Sequence, residues 1–268
     1  MVCLLYGNVF KVSGDYITFD SLYFTSCANC PLLADTSILR VGAVYGLTGA
    51  DYLTVKNCEF NDCPIGVYVN GTNGVVTNNY LHDCNRYLSN PDWGPLAVVI
   101  GNAYAEVSYN RCNNYIKVGG NYGADGGFIE IDSRYFGGAI HDLKIHHNKT
   151  IGNRGFMEVT TAGDGINVWY NVSDDYQEFI FWWSGNNSRM DNNTIIRTRP
   201  SNNGAVNTVF TMSNARFTAR NNIFVVANSV QVWVTGGGNY GSVLRENNLY
   251  YCTDNSTTDP SGLRYPRR

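Results

Sequence analysis

Four carboxylates in the middle of the chain, Asp125, Glu130, Asp132 and Glu158, have the types and spacing for acid–base chemistry. Glu130 and Asp132 stand in the run FIEID (128–132), and Glu158 stands in FMEVT (156–160). Both runs alternate in character along the chain, the period of a β-strand. If the two strands lie side by side, Glu130 and Glu158 share a register about 5 Å apart. Like charges placed opposite one another repel, and repulsion with partial desolvation is expected to raise one of the two pKa values. One carboxylic acid beside one carboxylate is what glycosidic cleavage uses. The acid protonates the leaving oxygen, and the carboxylate attacks the anomeric carbon or activates water. A separation of about 5 to 5.5 Å favours retention and a wider one inversion. Phe128, Phe156, Phe181, Trp183 and Trp233 are expected to line subsites and stack on sugar faces. Asp125 and Asp132 are expected as polar contacts to substrate, with Arg134 and Arg154 also in reach of it.

The same residues admit other chemistry. Glu130 and Glu158 read equally as solvated outward acids neutralised by Arg134, Arg154 or Lys117. A calcium ion held by Glu130, Glu158, Asp132 and Asp125 is a further reading, since clustered hard oxygens suit that ion. No cofactor and no resident metal is expected otherwise: Cys27 and Cys30 form a lone CxxC, and His146 and His147, adjacent on a strand, point to opposite sides. His141 reads as a turn residue. The glycine-rich stretch 119–127, GGNYGADGG, lacks the lysine and the following helix of a phosphate cradle and reads as a loop beside the binding face.

The elements that must position these acids follow from a repeat. Residues 15–27, DYITFDSLYFTSC, match 51–63, DYLTVKNCEFNDC, at Asp, Tyr, Thr, Phe and Cys. An apolar residue, an Asn or its substitute three on, and a second apolar residue two further recur at Phe19/Leu22/Phe24, Val55/Cys58/Phe60, Val76/Asn79/Leu81, Val107/Asn110/Cys112, Ile145/Asn148/Thr150, Val168/Asn171/Ser173, Met190/Asn193/Ile195, Ala219/Asn222/Phe224 and Leu244/Asn247/Leu249. Steps between the middle positions from Cys58 onward are 21, 31, 38, 23, 22, 29 and 25 residues. A period near 22 with insertions, β-branched alternation and a fixed Asn point to a parallel β-helix. The Asn has a physical reason: a sharp corner leaves backbone groups unpaired, and an Asn side chain satisfies them on every coil while tolerating left-handed angles. Cys27, Cys63, Cys84 and Cys252 fall three residues after an apolar position and read as one column of buried free thiols. The strands 66–70, 97–101, 128–132, 156–160, 179–184, 209–213 and 231–235 then align, with an outward column Tyr68, Val99, Glu130, Glu158, Phe181, Phe210 and Trp233. Val209/Thr211 and Val232/Val234 are the inward pairs of the last two.

On these motifs the chain resembles the right-handed parallel β-helix proteins of the pectate-lyase-like superfamily. The resemblance covers about residues 9–252 and implies an all-β, single-domain, right-handed parallel β-helix of about nine coils over residues 1–268, with an irregular tail at 253–268. It implies a carbohydrate-active protein acting on a polysaccharide or oligosaccharide, secreted or extracellular. The expected activity is glycoside hydrolysis by Glu130 and Glu158, with Asp132 beside them. The alternatives are a calcium-dependent polysaccharide lyase, with Arg134, Arg154, Lys117 or Lys144 as base, and a glycan-binding adhesin without turnover. The resemblance leaves monomer or homo-oligomer open.

Composition narrows the partners. With 19 Lys plus Arg against 22 Asp plus Glu the net charge is −3, so the basic surface that nucleic acid requires is not expected. Apolar runs such as 179–183 are much shorter than the 18 or so residues of a membrane span, and no membrane partner is expected. The opening MVCLLYGNVF lacks the basic and long apolar regions of a signal peptide.

Overall fold

A computed structural model describes residues 9–27, 42–84, 94–116, 127–133, 138–200, 208–235, 243–254 and 256. Among them there is no helix, and every strand pairing is parallel. Each coil lays down three short strands in turn. The third strands form one nine-stranded sheet, running from Tyr23–Thr25 to Leu249–Cys252. The first strands begin with Phe10–Val12 and Val44–Gly46 and continue through Ile65–Val69, Leu96–Ile100 and Gly127–Ile131. From there they lengthen into Gly155–Asp164, and in the long bent elements Ile180–Asp191 and Thr208–Arg220 they run on into the second strands. The chain is a parallel β-helix, with nine coils among the described residues and Val, Ile, Leu, Phe and Cys filling their interior.

Hydrogen bonding at the corner between second and third strands explains the repeat. Ser21, Asn57, Asn78, Tyr109, His147, Tyr170, Asn192, Asn221 and Asn247 all have φ between 53° and 60° there. The residue after each is the ladder position. Asn110 is typical: its Nδ2 donates to the Val76 carbonyl at 2.8 Å and its Oδ1 accepts the Asn79 backbone N–H at 2.9 Å. The same exchange runs on through Asn148, Asn171, Asn193, Asn222 and Asn248. At the N-terminal end Cys58 stands in for Asn, its Sγ accepting from the Leu22 N–H at 3.5 Å.

The last coil departs from the sequence expectation by one residue. Ala219 pairs with Arg245 and Phe224 with Tyr250, so Asn248 completes the ladder and Asn247 takes the left-handed corner. Leu244 and Leu249, expected inside, are 56% and 59% exposed. Two adjacent asparagines make both registers possible, and packing decides between them: Tyr250 stacks on Phe224 at 5.1 Å, and Arg245 lies over the Trp233 ring at 4.6 Å.

The thiol column is present, without disulfide bonds between its members. Cys27, Cys63 and Cys84 are buried and unbridged, and Cys252 is half-buried. A hydrogen bond with Cys27, then burial, push the Cys63 thiol well up. Farther along the same inner corner the column turns polar, through Tyr115, Asn153 and Asp175 to Arg197. Replacing one ladder residue, Asn171→Ala, leaves the Asn148 N–H and the Ile145 carbonyl without their partners. The expected cost is about 1–3 kcal/mol for each buried group left unsatisfied, read as a lower urea midpoint.

Candidate active site

The site face is the outer side of the first strands. Val99 pairs with Glu130, Glu130 with Glu158, Glu158 with Phe181, and Phe181 with Thr211. The two glutamates therefore stand in register on neighbouring coils, with backbones about 4.8 Å apart. Glu130 is only 2% exposed, whereas Glu158 is half-buried. Thr160 Oγ1 donates to Glu130 Oε1 at 3.0 Å. Asp132 is fully buried, and its N–H donates to the Ile100 carbonyl at 3.0 Å.

Strict alternation does not hold along these strands. The outer positions Gly127 and Glu130 are three residues apart, and both residues between them, Phe128 and Ile129, point into the core. Phe156 and Met157, Phe179 and Ile180, Val209 and Phe210, and Val232 and Trp233 repeat that double inward step. This overturns the sugar-stacking roles expected of Phe128, Phe156 and Trp233, all buried. Their rings instead form an internal stack: Phe128–Phe156 at 5.5 Å, Phe156–Phe179 at 4.6 Å, Phe179–Phe210 at 5.9 Å and Phe210–Trp233 at 4.5 Å. Thr211, not Phe210, continues the outer column. Large rings gain more from burial in a mutual stack than from exposure, which fixes this choice. Phe181 and Trp183 do face outward, Phe181 half-buried and Trp183 56% exposed. Asp125, Arg134 and Lys117 lie outside the described residues.

The double inward step creates a second outer column, Leu96, Gly127, Gly155 and Glu178. A Cβ at Gly127 would sit 2.9 Å from the Gly155 carbonyl oxygen, and one at Gly155 would sit 2.8 Å from the Glu178 carbonyl oxygen, so the coils approach too closely there for other residues. Glu178 was not singled out in the sequence. The signal was the glycine at the same offset, three residues before each of Glu130 and Glu158, with an acid taking that place before Phe181. Glu178 is 7% exposed and accepts from Thr211 Oγ1 at 3.3 Å, and the Thr211 and Thr208 hydroxyls are 2.8 Å apart. Burial pushes its carboxyl up, opposed by the positive charges of Arg154 and Arg197. Arg154 is half-buried at the corner entering Gly155–Asp164. Arg197 is buried, donates from Nη1 to the Asp175 carbonyl at 3.3 Å, and is drawn down to about 10 by burial.

His141, His146 and His147 fall elsewhere. His141 contacts Asp142 at 2.8 Å. His146 and His147 lie 2.9 Å apart through their Nδ1 atoms, with Glu106 3.5 Å from His146. Among the described residues no group of three His, Cys, Asp or Glu is arranged to hold a metal ion.

These elements define the class: a parallel β-helix with a carboxylate-bearing outer face on its first strands. No known protein family and no curated protein matches the chain. Among solved structures it is similar to the tailspike protein of E. coli bacteriophage HK620 in complex with a pentasaccharide, with a TM-score of 0.45 and 11% identity over 94% of this chain and 48% of that one. A mutant of that tailspike, also with a pentasaccharide, gives 0.43 and 10% over the same shares. The chain spans about half the length of these proteins.

Two stability measurements check this placement. Phe156→Ala opens the ring stack and is expected to cost about 3–5 kcal/mol in urea denaturation, while Trp183→Ala is expected to stay within about 0.5 kcal/mol. Asp175 supplies a pH test. Its carboxyl accepts from Ser173, Thr150 and the Asn153 N–H, yet burial pushes it above the ordinary 3.8. The folded state therefore keeps a proton that the unfolded chain loses first, and this stabilisation is present below pH 3.8 and lost as pH rises through the folded value. The stability of the native chain relative to Asp175→Asn is expected to decline over that window.

Proposed function

We propose that the chain is a polysaccharide-degrading glycoside hydrolase whose glycan lies along the outer face of the first strands, with Glu158 as the carboxylate that meets it. The observation that carries this reading is the register of Glu130 against Glu158 on adjacent coils. Acids set in register on neighbouring strands repel where both ionise, and carboxylates gathered on one outer face mark a candidate functional site. Burial distinguishes the two. Glu130 is buried and held by Thr160, and Glu158 is the more open to solvent. Phe181 beside Glu158 and Trp183 two residues on offer flat apolar surface for sugar faces.

The face also selects its substrate. From Tyr68 to Thr211 the described central column carries no Lys or Arg. A polyuronate would meet a central column that presents acids and no base, which disfavours it. A neutral glycan fits better, and the calcium-dependent lyase is correspondingly less supported. Binding without turnover, as in an adhesin, is the second reading, favoured by the burial of Glu130.

The test is a panel of neutral and acidic polysaccharides assayed for new reducing ends and for the ultraviolet absorbance of unsaturated uronates, with and without EDTA. Reducing ends that form without that absorbance, insensitive to EDTA, are expected from the native chain. Glu158→Gln is expected to lower kcat by about 10²–10⁴-fold. Trp183→Ala is expected to raise KM with little change in kcat. Binding with no reducing ends would replace the hydrolase by the adhesin.

A further inference from the structure

We propose that Glu178 is the general acid of this site and that cleavage proceeds with inversion at the anomeric carbon. The inference rests on the hydrolase reading above and assigns the role that reading leaves open.

Three observations point to Glu178. The first is position. Glu178 continues the outer column of Gly127 and Gly155, on the coil next to Glu158 and three residues earlier in register. Both positions that would otherwise put a side chain beside the glutamates are glycine, so no side chain at 155 stands between Glu178 and Glu158. The second is spacing. Strand separation and rise place the Glu178 and Glu158 backbones roughly 11 Å apart, which lets the carboxyl groups reach the roughly 6.5–9.5 Å of inverting enzymes, with a water between them. Glu130 is one coil from Glu158 at the same register, too close for that water. The third is surroundings. The groups facing Glu178 are the Thr208 and Thr211 hydroxyls, Arg154 from the preceding coil, and Arg197 with Asp175 at the inner corner. Burial prevails over the two guanidinium groups and favours the protonated carboxyl that a proton donor needs.

The step balances as a hydrolysis. Glu158 takes a proton from water as the water oxygen bonds to the anomeric carbon. The glycosidic carbon–oxygen bond breaks with its electron pair passing to the leaving oxygen, which receives the Glu178 proton. One water is consumed, Glu158 ends protonated and Glu178 ionised, and solvent returns one proton to Glu178 and removes one from Glu158.

The experiment uses the full chain and the glycan that the panel shows it to cleave. The anomeric configuration of the first product, read by proton NMR before mutarotation, is expected to be inverted. Glu178→Gln is expected to lower kcat on the glycan by about 10²–10⁴-fold and to remove the alkaline limb of the kcat/KM pH profile. It is expected to cleave the aryl glycoside of the released sugar, whose leaving group needs no proton, at close to the native rate. A merely structural role would lower both rates together. Retained configuration, which needs no variant to detect, or undiminished activity of Glu178→Gln overturns the acid assignment and leaves the hydrolase reading standing. Binding of glycan with no cleavage by the native chain overturns both.

Discussion

The fold depends on one hydrogen-bonding problem solved in the same way on successive coils. A corner sharp enough to turn the chain between two short strands leaves a backbone N–H and a carbonyl facing the interior, where water cannot pair them. The ladder side chain meets both, and each Asn accepts from the coil before it while donating to that coil's carbonyl. The residue ahead of it must take a left-handed backbone conformation, and Asn adopts it at low cost. Tyr109, His147 and Tyr170 adopt it on three successive coils with larger side chains, and their rings stack at 4.8 and 5.1 Å. A ladder repeated this strictly locks coil to coil, so residues at equal offsets from it become neighbours.

That locking is why the central pair was legible. Glu130 and Glu158 lie at matching places in similar strings, FIEI and FMEV, and the register follows from the strings alone. The coil number, the thiol column and the outward placement of Phe181 and Trp183 follow from the same offsets. What the sequence hid is the double inward step. In Phe-Ile-Glu and Phe-Met-Glu, period-two alternation assigns Phe and Glu to one face, because hydrophobicity alone does not reveal two consecutive inward residues. The error moved Phe128, Phe156 and Trp233 from the core to the surface and concealed the outer column that holds Glu178. The Asn247/Asn248 ambiguity has a similar origin: two residues of one type satisfy the pattern equally, and only the packing of Tyr250 and Arg245 separates them.

The interior column adds a link between stability and site. Over the early coils its members are thiols, which pack as small apolar groups. It becomes Asn153, Asp175 and Arg197 on the coils whose first strands begin at Gly155, Ile180 and Thr208, the coils that carry Glu158, Glu178 and Thr211. Burying a carboxyl and a guanidinium is expensive unless each is bonded. Asp175 is supplied with Thr150, Ser173 and Asn153, whereas Arg197 has the Asp175 carbonyl for Nη1 while its Nε and Nη2 find no hydrogen-bond partner among the described residues. A purely apolar column would stabilise these coils more simply, as it does at Val226. The polar one sets a positive charge behind the outer face at the corner where Glu178 leaves the interior. There it opposes the effect of burial on that carboxyl. On the acid role proposed for Glu178, the least economical part of the core lies directly behind the carboxyl that this role requires to be both buried and titratable.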